Sequence, residues 1–186
     1  MELIVAVTGA TGTIYAVKLL EFLKGMPEIN THLIMSKWAI NNLDIETEYS
    51  KDYVFSLATK VYANDNMAAC VASGSFVSDG MIIIPCSMKT LSSISNGYSD
   101  NLISRAADVM IKEGRKLVIS PRETPLNSIH IENMLKLSKM GVKIVPPMPG
   151  FYSNPESIDD IVNHHVIKIL DQFNIHICNS LRWEGK

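Results

Sequence analysis

Three short segments gather residue types that handle anions. Gly9-Ala10-Thr11-Gly12 lies between an apolar run, Leu3 to Val7, and a helical pattern, so its backbone N–H groups and the helix N-terminus can receive a negative group. The segment lacks the Gly-x-Gly-x-x-Gly spacing of a dinucleotide site, and the second strand ends in Ser36 instead of the acidic residue that holds a ribose hydroxyl. A mononucleotide therefore fits better than NAD, with a plain tight turn as the structural alternative. Pro85-Cys86-Ser87-Met88-Lys89-Thr90 puts two hydroxyls and a lysine at the start of a helix, where Ser87 also reads as an N-cap. Pro121-Arg122-Glu123-Thr124-Pro125 sets an arginine and a glutamate between prolines that fix their direction; a solvated ion pair is the competing reading.

Other candidates are more scattered. Arg105 and Lys112 are seven apart on one expected helix and so share nearly the same face. Phe151-Tyr152 follows a proline loop, Lys168 lies on the last helix, and Arg182-Trp183 is near the end of the sequence, where a tryptophan ordinarily serves packing. His164 and His165 are adjacent and point apart on a helix, and the sequence has no His-Glu-x-x-His motif or carboxylate cluster, so no metal site is expected. The five histidines read as structural. A Gly-x-Ser-x-Gly elbow, a Walker loop and an Asp-Asp-x-x-Asp motif are all missing.

The elements that must position these residues follow from hydrophobic periodicity. Leu3 to Val7 is continuously apolar, the pattern of a strand covered on both faces. Ile14, Val17, Leu20 and Leu23 then give helical spacing up to Gly25. Further strands are expected at Thr31 to Met35, Met81 to Ile84, Lys116 to Ser120 and Val142 to Val145. Helices are expected at Trp38 to Leu43, Thr90 to Ser95, Leu102 to Glu113, Ile129 to Met140 and Ile158 to Phe173. Alternation of this kind implies a three-layer α/β fold, an open parallel sheet covered by helices on both faces, whose ligands sit at the carboxyl ends of strands. Residues 45 to 80 carry no clear pattern, and Pro146 to Gly150 must be loop.

Composition bounds the function classes. The chain has 186 residues, enough for one domain that buries roughly 70% of the surface of its unfolded form. Seventeen basic against nineteen acidic residues leave a net charge of −2 with no block of like charges, which argues against nucleic-acid binding through a basic face. No apolar stretch approaches the roughly eighteen residues of a membrane span, and no signal peptide is expected. Cys70, Cys86 and Cys178 form neither a disulfide framework nor a zinc pattern, which points to the cytosol. The ten methionines read as core filler.

Taken in order, Thr8 to Gly12, Pro85 to Thr90, Asn101 to Val109, Pro121 to Leu126 and Pro149 to Tyr152 closely resemble the flavin prenyltransferases of the UbiX/Pad type, in register from the first strand to Trp183. The resemblance implies a Rossmann-like or flavodoxin-like single domain over residues 1–186, with a C-terminal helix and tail, about 157–186, completing the site or oligomer contacts. It implies an enzyme that joins a dimethylallyl group from dimethylallyl phosphate to N5 and C6 of reduced FMN without a metal. The product is prenylated FMN for a separate UbiD-type decarboxylase. Many members are dodecamers of trimers, and some were once named as decarboxylase subunits.

By the same resemblance Gly9, Ala10, Thr11, Ser36, Ser87, Met88, Lys89, Thr90 and Arg122 would hold the flavin and its phosphate, and Tyr152 and Lys168 would grip the prenyl phosphate. Arg105, Lys112, Glu123, Glu46 and Trp183 would line the reacting centre. Three positions depart from the family pattern: Thr11 replaces serine, Lys168 stands where arginine is common, and Met67 occupies a position that is often tryptophan. In this reading Lys112, Arg122, Tyr152 and Lys168 take the place of magnesium on the departing phosphate. Each hydrogen bond to a charged group contributes roughly 1.5–3 kcal/mol. Trp183 and the reduced flavin would stabilise the allyl cation, and Glu123 or the released phosphate would take the proton. Two other readings compete: a cysteine-type oxidative decarboxylase with Cys86 near the flavin, and a flavin carrier without activity.

Overall fold

The structure, a computed structural model, describes residues 1–177. Six strands form one parallel sheet: β1 (Glu2–Val7), β2 (Asn30–Met35), β3 (Lys60–Ala63), β4 (Gly80–Cys86), β5 (Lys116–Pro121) and β6 (Lys143–Ile144), in the order β3-β2-β1-β4-β5-β6. The helices are α1 (Thr13–Lys24), α2 (Lys37–Glu46), α3 (Lys51–Leu57), α4 (Met88–Ser95), α5 (Leu102–Lys112), α6 (Ser128–Lys139) and α7 (Ile158–Asp171). This is the expected single-domain, Rossmann-like α/β architecture.

Both faces of the central strands are buried, which explains their continuous apolar runs. Leu3, Val5 and Val7 of β1 join Ile82 and Ile84 of β4 in a core under α1 and α7. Ile4 and Ala6 join Met81 and Ile83 in a second core under α5. The period of two along each strand divides one apolar run between two cores.

The sheet has six strands where the sequence pattern indicates five. The additional β3 and α3 fall in the stretch without periodicity. β3 is a four-residue edge strand with only Tyr62 buried, and α3 has seven residues anchored by Val54 and Leu57 behind the N-cap Ser50. Neither is long enough to show a period. The methionine reading needs correction too: Met35, Met81 and Met110 are in the cores, but Met1, Met67, Met140 and Met148 are exposed. Among the described residues no helix is long and apolar enough to cross a membrane.

β1 and β4 lie side by side, and the chain leaves them in opposite directions: from β1 to β2, and from β4 to β5. A crevice opens at the carboxyl ends of two such strands, where ligands of doubly wound sheets bind. Thr8 fastens the two ends together. Its hydroxyl donates to the Pro85 carbonyl (2.9 Å) and accepts from the Ser87 N–H (2.7 Å).

Candidate active site

The glycine turn after β1 already holds an anion supplied by the protein itself. The Glu46 carboxylate, at the end of α2, accepts from the Gly12 N–H (2.8 Å), the Thr13 N–H (3.1 Å) and the Thr13 hydroxyl (3.1 Å) at the start of α1. Burial alone would raise its pKa, but these donors and the Thr11 side chain outweigh that and hold it below the usual carboxylate range. The α1 N-terminus, offered by sequence as an anion receiver, is therefore satisfied by Glu46. A second place where helix starts meet lies one crossover away.

That place is a cavity of about 230 Å³ lined by Thr8, Gly9, Ser36, Ser87, Lys89 and Thr90, together with Trp38, Asn64, Asn101 and Ser104. Three of these residues are helix N-caps. Ser36 Oγ accepts from the Ala39 N–H of α2, Ser87 Oγ from the Thr90 N–H of α4, and Asn101 Oδ1 from the Ser104 N–H of α5. The positive ends of three helix dipoles thus converge on one hydroxyl-lined cavity carrying a lysine. Gly9 forms part of the wall because Trp38 crowds it: a Cβ at Gly9 would lie 2.6 Å from the Trp38 Cβ.

A second cavity, about 570 Å³, lies on the other side of the glycine turn. Thr11, Gly12, Arg122 and Glu123 contribute its polar groups, and Tyr15, Leu126, Met134, Met148, Ile158 and Val162 much of its apolar wall. Gly9 lines the small cavity, and Thr11 and Gly12 the large one. A ligand with a phosphate at one end and a flat apolar body at the other would pass across the turn. FMN has that form, and the hydroxyls, dipoles and apolar wall fit it.

Arg122 leaves β5 with its N–H on the Cys86 carbonyl (3.1 Å), so β4 holds the arginine at the crevice. Glu123 beside it is exposed and accepts from its own neighbour's N–H at Thr124 (3.0 Å). Below the large cavity, His165 is buried, with Nε2 2.9 Å from Ser120 Oγ and its ring edge-on to Tyr15 at 5.0 Å. Burial, aided by His164, lowers its pKa to about 4, so this imidazole is neutral and structural. Burial raises the Tyr15 phenol, an effect opposed by Arg122.

Tyr152 and Lys168 are both exposed. The Tyr152 hydroxyl is 2.7 Å from His164 Nε2, one turn before Lys168 on α7. Arg105 and Lys112 lie elsewhere within the chain, on a separate cavity of about 450 Å³ formed with residues 72–75 and Glu113. Arg105 donates to the Ala72 carbonyl (3.1 Å) and to Asp108 (2.6 Å), and Lys112 pairs with Glu113. Lys112 ends α5 just before β5 begins, near the amino ends of the strands and so away from the crevice at their carboxyl ends. Trp183 lies outside the described residues.

Sequence reasoning gave no role to Trp38, Asn64, Asn101 or Ser104. The Asn101-to-Ser104 spacing is a readable N-cap signal; Trp38 and Asn64 carry no local signal, because only the fold brings them to the cavity. Cys86 is fully buried and burial pushes its thiol pKa far up, so it is not a reactive thiolate. Among the described residues no group of three or more His, Cys, Asp or Glu side chains is placed to hold a metal ion.

Comparison with known proteins agrees with this geometry. Residues 1–170 match the flavoprotein family model. The flavin prenyltransferase LpdB of Lactiplantibacillus plantarum is 56% identical over 184 residues, 99% of this chain and 98% of its own. Among solved structures, a dodecameric FMN-dependent UbiX-like decarboxylase from Escherichia coli O157:H7 superposes with a TM-score of 0.98 at 56% identity, covering 100% of both chains. AnUbiX (PadA1), in complex with FMN and dimethylallyl pyrophosphate, gives 0.94 at 46% identity, covering 100% of this chain and 98% of its own. Several cysteine decarboxylases, including EpiD at 19% identity, share the fold alone. The chain belongs to the flavoprotein family, among the UbiX-like flavin prenyltransferases.

Proposed function

We propose that this protein is a flavin prenyltransferase that moves a dimethylallyl group from dimethylallyl phosphate to reduced FMN and supplies prenylated FMN to a UbiD-type decarboxylase. The observation that carries the reading is the pair of cavities on either side of the Gly9–Gly12 turn, one fitted for a phosphate and the other for a flat apolar body. Gly9, Ser36, Ser87, Met88, Lys89 and Thr90 hold the FMN phosphate end, and Ala10, Thr11 and Arg122 the remainder. Reduced FMN supplies the electron-rich ring that accepts the prenyl carbon.

The chain's own residues have two charges to manage. Loosening the allylic C–O bond puts negative charge on the phosphate and positive charge on the five-carbon fragment. Tyr152 and Lys168 hold the phosphate by charge-assisted hydrogen bonds, and Arg122 adds its guanidinium. Glu46, kept ionised by the α1 N-terminus, presents a fixed negative charge beside the turn. It is a poor base, so the proton passes to exposed Glu123 or to the released phosphate.

Arg105 and Lys112 serve the reacting centre from a neighbouring copy. Their cavity is separate from the two beside the glycine turn, and a relative of 56% identity is a dodecamer; both support a site shared between copies. Exposed Ile129, Ile131 and Leu135 on α6 support such an assembly. A cytosolic address belongs to the same reading, supported by the free thiols Cys70 and Cys86.

The test is to incubate the protein anaerobically with reduced FMN, dimethylallyl phosphate and a chelator, then weigh the flavin. A gain of one prenyl unit is expected. Unchanged flavin still held by the protein would make it a carrier.

A further inference from the structure

We propose that His164 is a positioning residue for Tyr152: its imidazole fixes the phenol hydroxyl and turns the phenolic proton toward the phosphate of the prenyl donor. The inference rests on the reading that Tyr152 and Lys168 grip that phosphate, and it identifies what holds Tyr152 in place.

Five features of the structure support it. The Tyr152 hydroxyl and His164 Nε2 are 2.7 Å apart. The two rings meet edge to face, with centroids 5.5 Å apart and planes at 78°. Gly150 leaves room for that meeting, since a Cβ there would sit 2.9 Å from the Tyr152 ring and 3.3 Å from the His164 ring. His164 and Lys168 are four apart on α7, so bonding to His164 carries the loop-borne phenol to the helix face that presents the ammonium. The loop is also pinned at the base of α7, where the Asp160 carboxylate accepts from the Glu156 N–H (3.0 Å), the Ser157 N–H (2.9 Å) and the Ser157 hydroxyl (2.9 Å).

The direction of the proton follows from counting donors. A phenol has one proton and two lone pairs, and a phosphate only accepts. For Tyr152 to bond both His164 and the phosphate, Nε2 must carry the hydrogen and donate to the phenol oxygen. Burial and the Lys168 ammonium hold the His164 pKa below its usual value, so at neutral pH the ring is neutral and free to place its hydrogen on Nε2. The resulting row of donors, imidazole to phenol to phosphate, ends on the anion, and each bond polarises the next.

His164→Phe keeps a flat ring and removes the nitrogen, whereas His164→Gln restores an N–H donor. With reduced FMN saturating and dimethylallyl phosphate varied, His164→Phe is expected to raise KM about tenfold with kcat within about twofold, a change of one hydrogen bond. His164→Gln should recover most of the loss. Tyr152→Phe should raise KM at least as much, and the double variant Tyr152→Phe/His164→Phe should be no worse than Tyr152→Phe alone. FMN affinity should stay at the wild-type value throughout. An unchanged KM in His164→Phe beside a raised KM in Tyr152→Phe would overturn the role of His164. So would failure of His164→Gln to recover the loss, or an equal fall in FMN affinity. An unchanged KM in Tyr152→Phe would instead overturn the phosphate role of Tyr152 itself.

Discussion

Two adjacent histidines on α7 show how environment decides a residue's part. His164 is half-buried and bonds a phenol beside the open edge, whereas His165 turns inward to Ser120 and Tyr15. The consequence for His165 is a pH dependence of stability. Its folded pKa is about 4 against roughly 6.5 unfolded, so as pH falls the unfolded chain takes the proton first. The stabilisation due to the neutral ring is complete above about pH 6.5 and is lost between there and about pH 4, to a total of about 3 kcal/mol. Urea unfolding between pH 4 and 7 should show that slope, and His165→Phe should flatten it. An unchanged slope in the variant would assign the dependence to other groups.

Helix starts are where elements become a site. α2, α4 and α5 each begin with a capping side chain that also lines the small cavity, so under the proposed function folding and phosphate binding use the same atoms. Ser87→Ala should cost about 1 kcal/mol of stability from the lost cap. It should also weaken FMN binding about tenfold from the lost hydroxyl, read by flavin fluorescence titration. Loss of stability with unchanged FMN affinity would leave Ser87 as a cap alone. At the other end of the strands, Gly80 opens β4 with φ +154° beside β5, and a Cβ there would meet the Lys116 carbonyl oxygen at 2.6 Å. Gly80→Ala should therefore destabilise by about 2–4 kcal/mol or more by urea unfolding, because the obstacle is backbone and cannot rotate away.

At the scale of the whole molecule Arg122 lies at the crevice, whereas Lys112 lines a separate cavity near the amino ends of the strands. If the site is shared between copies, two damaged subunits can complement each other. Lys112→Ala and Arg122→Ala should each be strongly impaired as pure assemblies. Co-expressed with different tags and purified as mixed oligomers, they should regain a clear fraction of wild-type turnover, because some sites then combine an intact Lys112 with an intact Arg122. Mixed oligomers no better than their parents would place both residues in service of the same chain.

Sequence alone determined the layers and the crevice. Apolar runs at β1 and β4 marked two-sided burial, and Gly9–Gly12, Ser87–Thr90 and Arg122-Glu123 each followed an expected strand, so local patterns already placed them at carboxyl ends. Glu46, Trp38 and Asn64 were different. No local pattern ties Glu46 to Gly12, 34 positions away, or brings Trp38 against Gly9. The tertiary structure decided which anion fills the α1 N-terminus, that three N-caps share one cavity, and that Lys112 and Arg122 line separate cavities. The physical reason is range: burial period and capping act over a few residues, whereas a cavity is made by the order in which distant strands stand side by side.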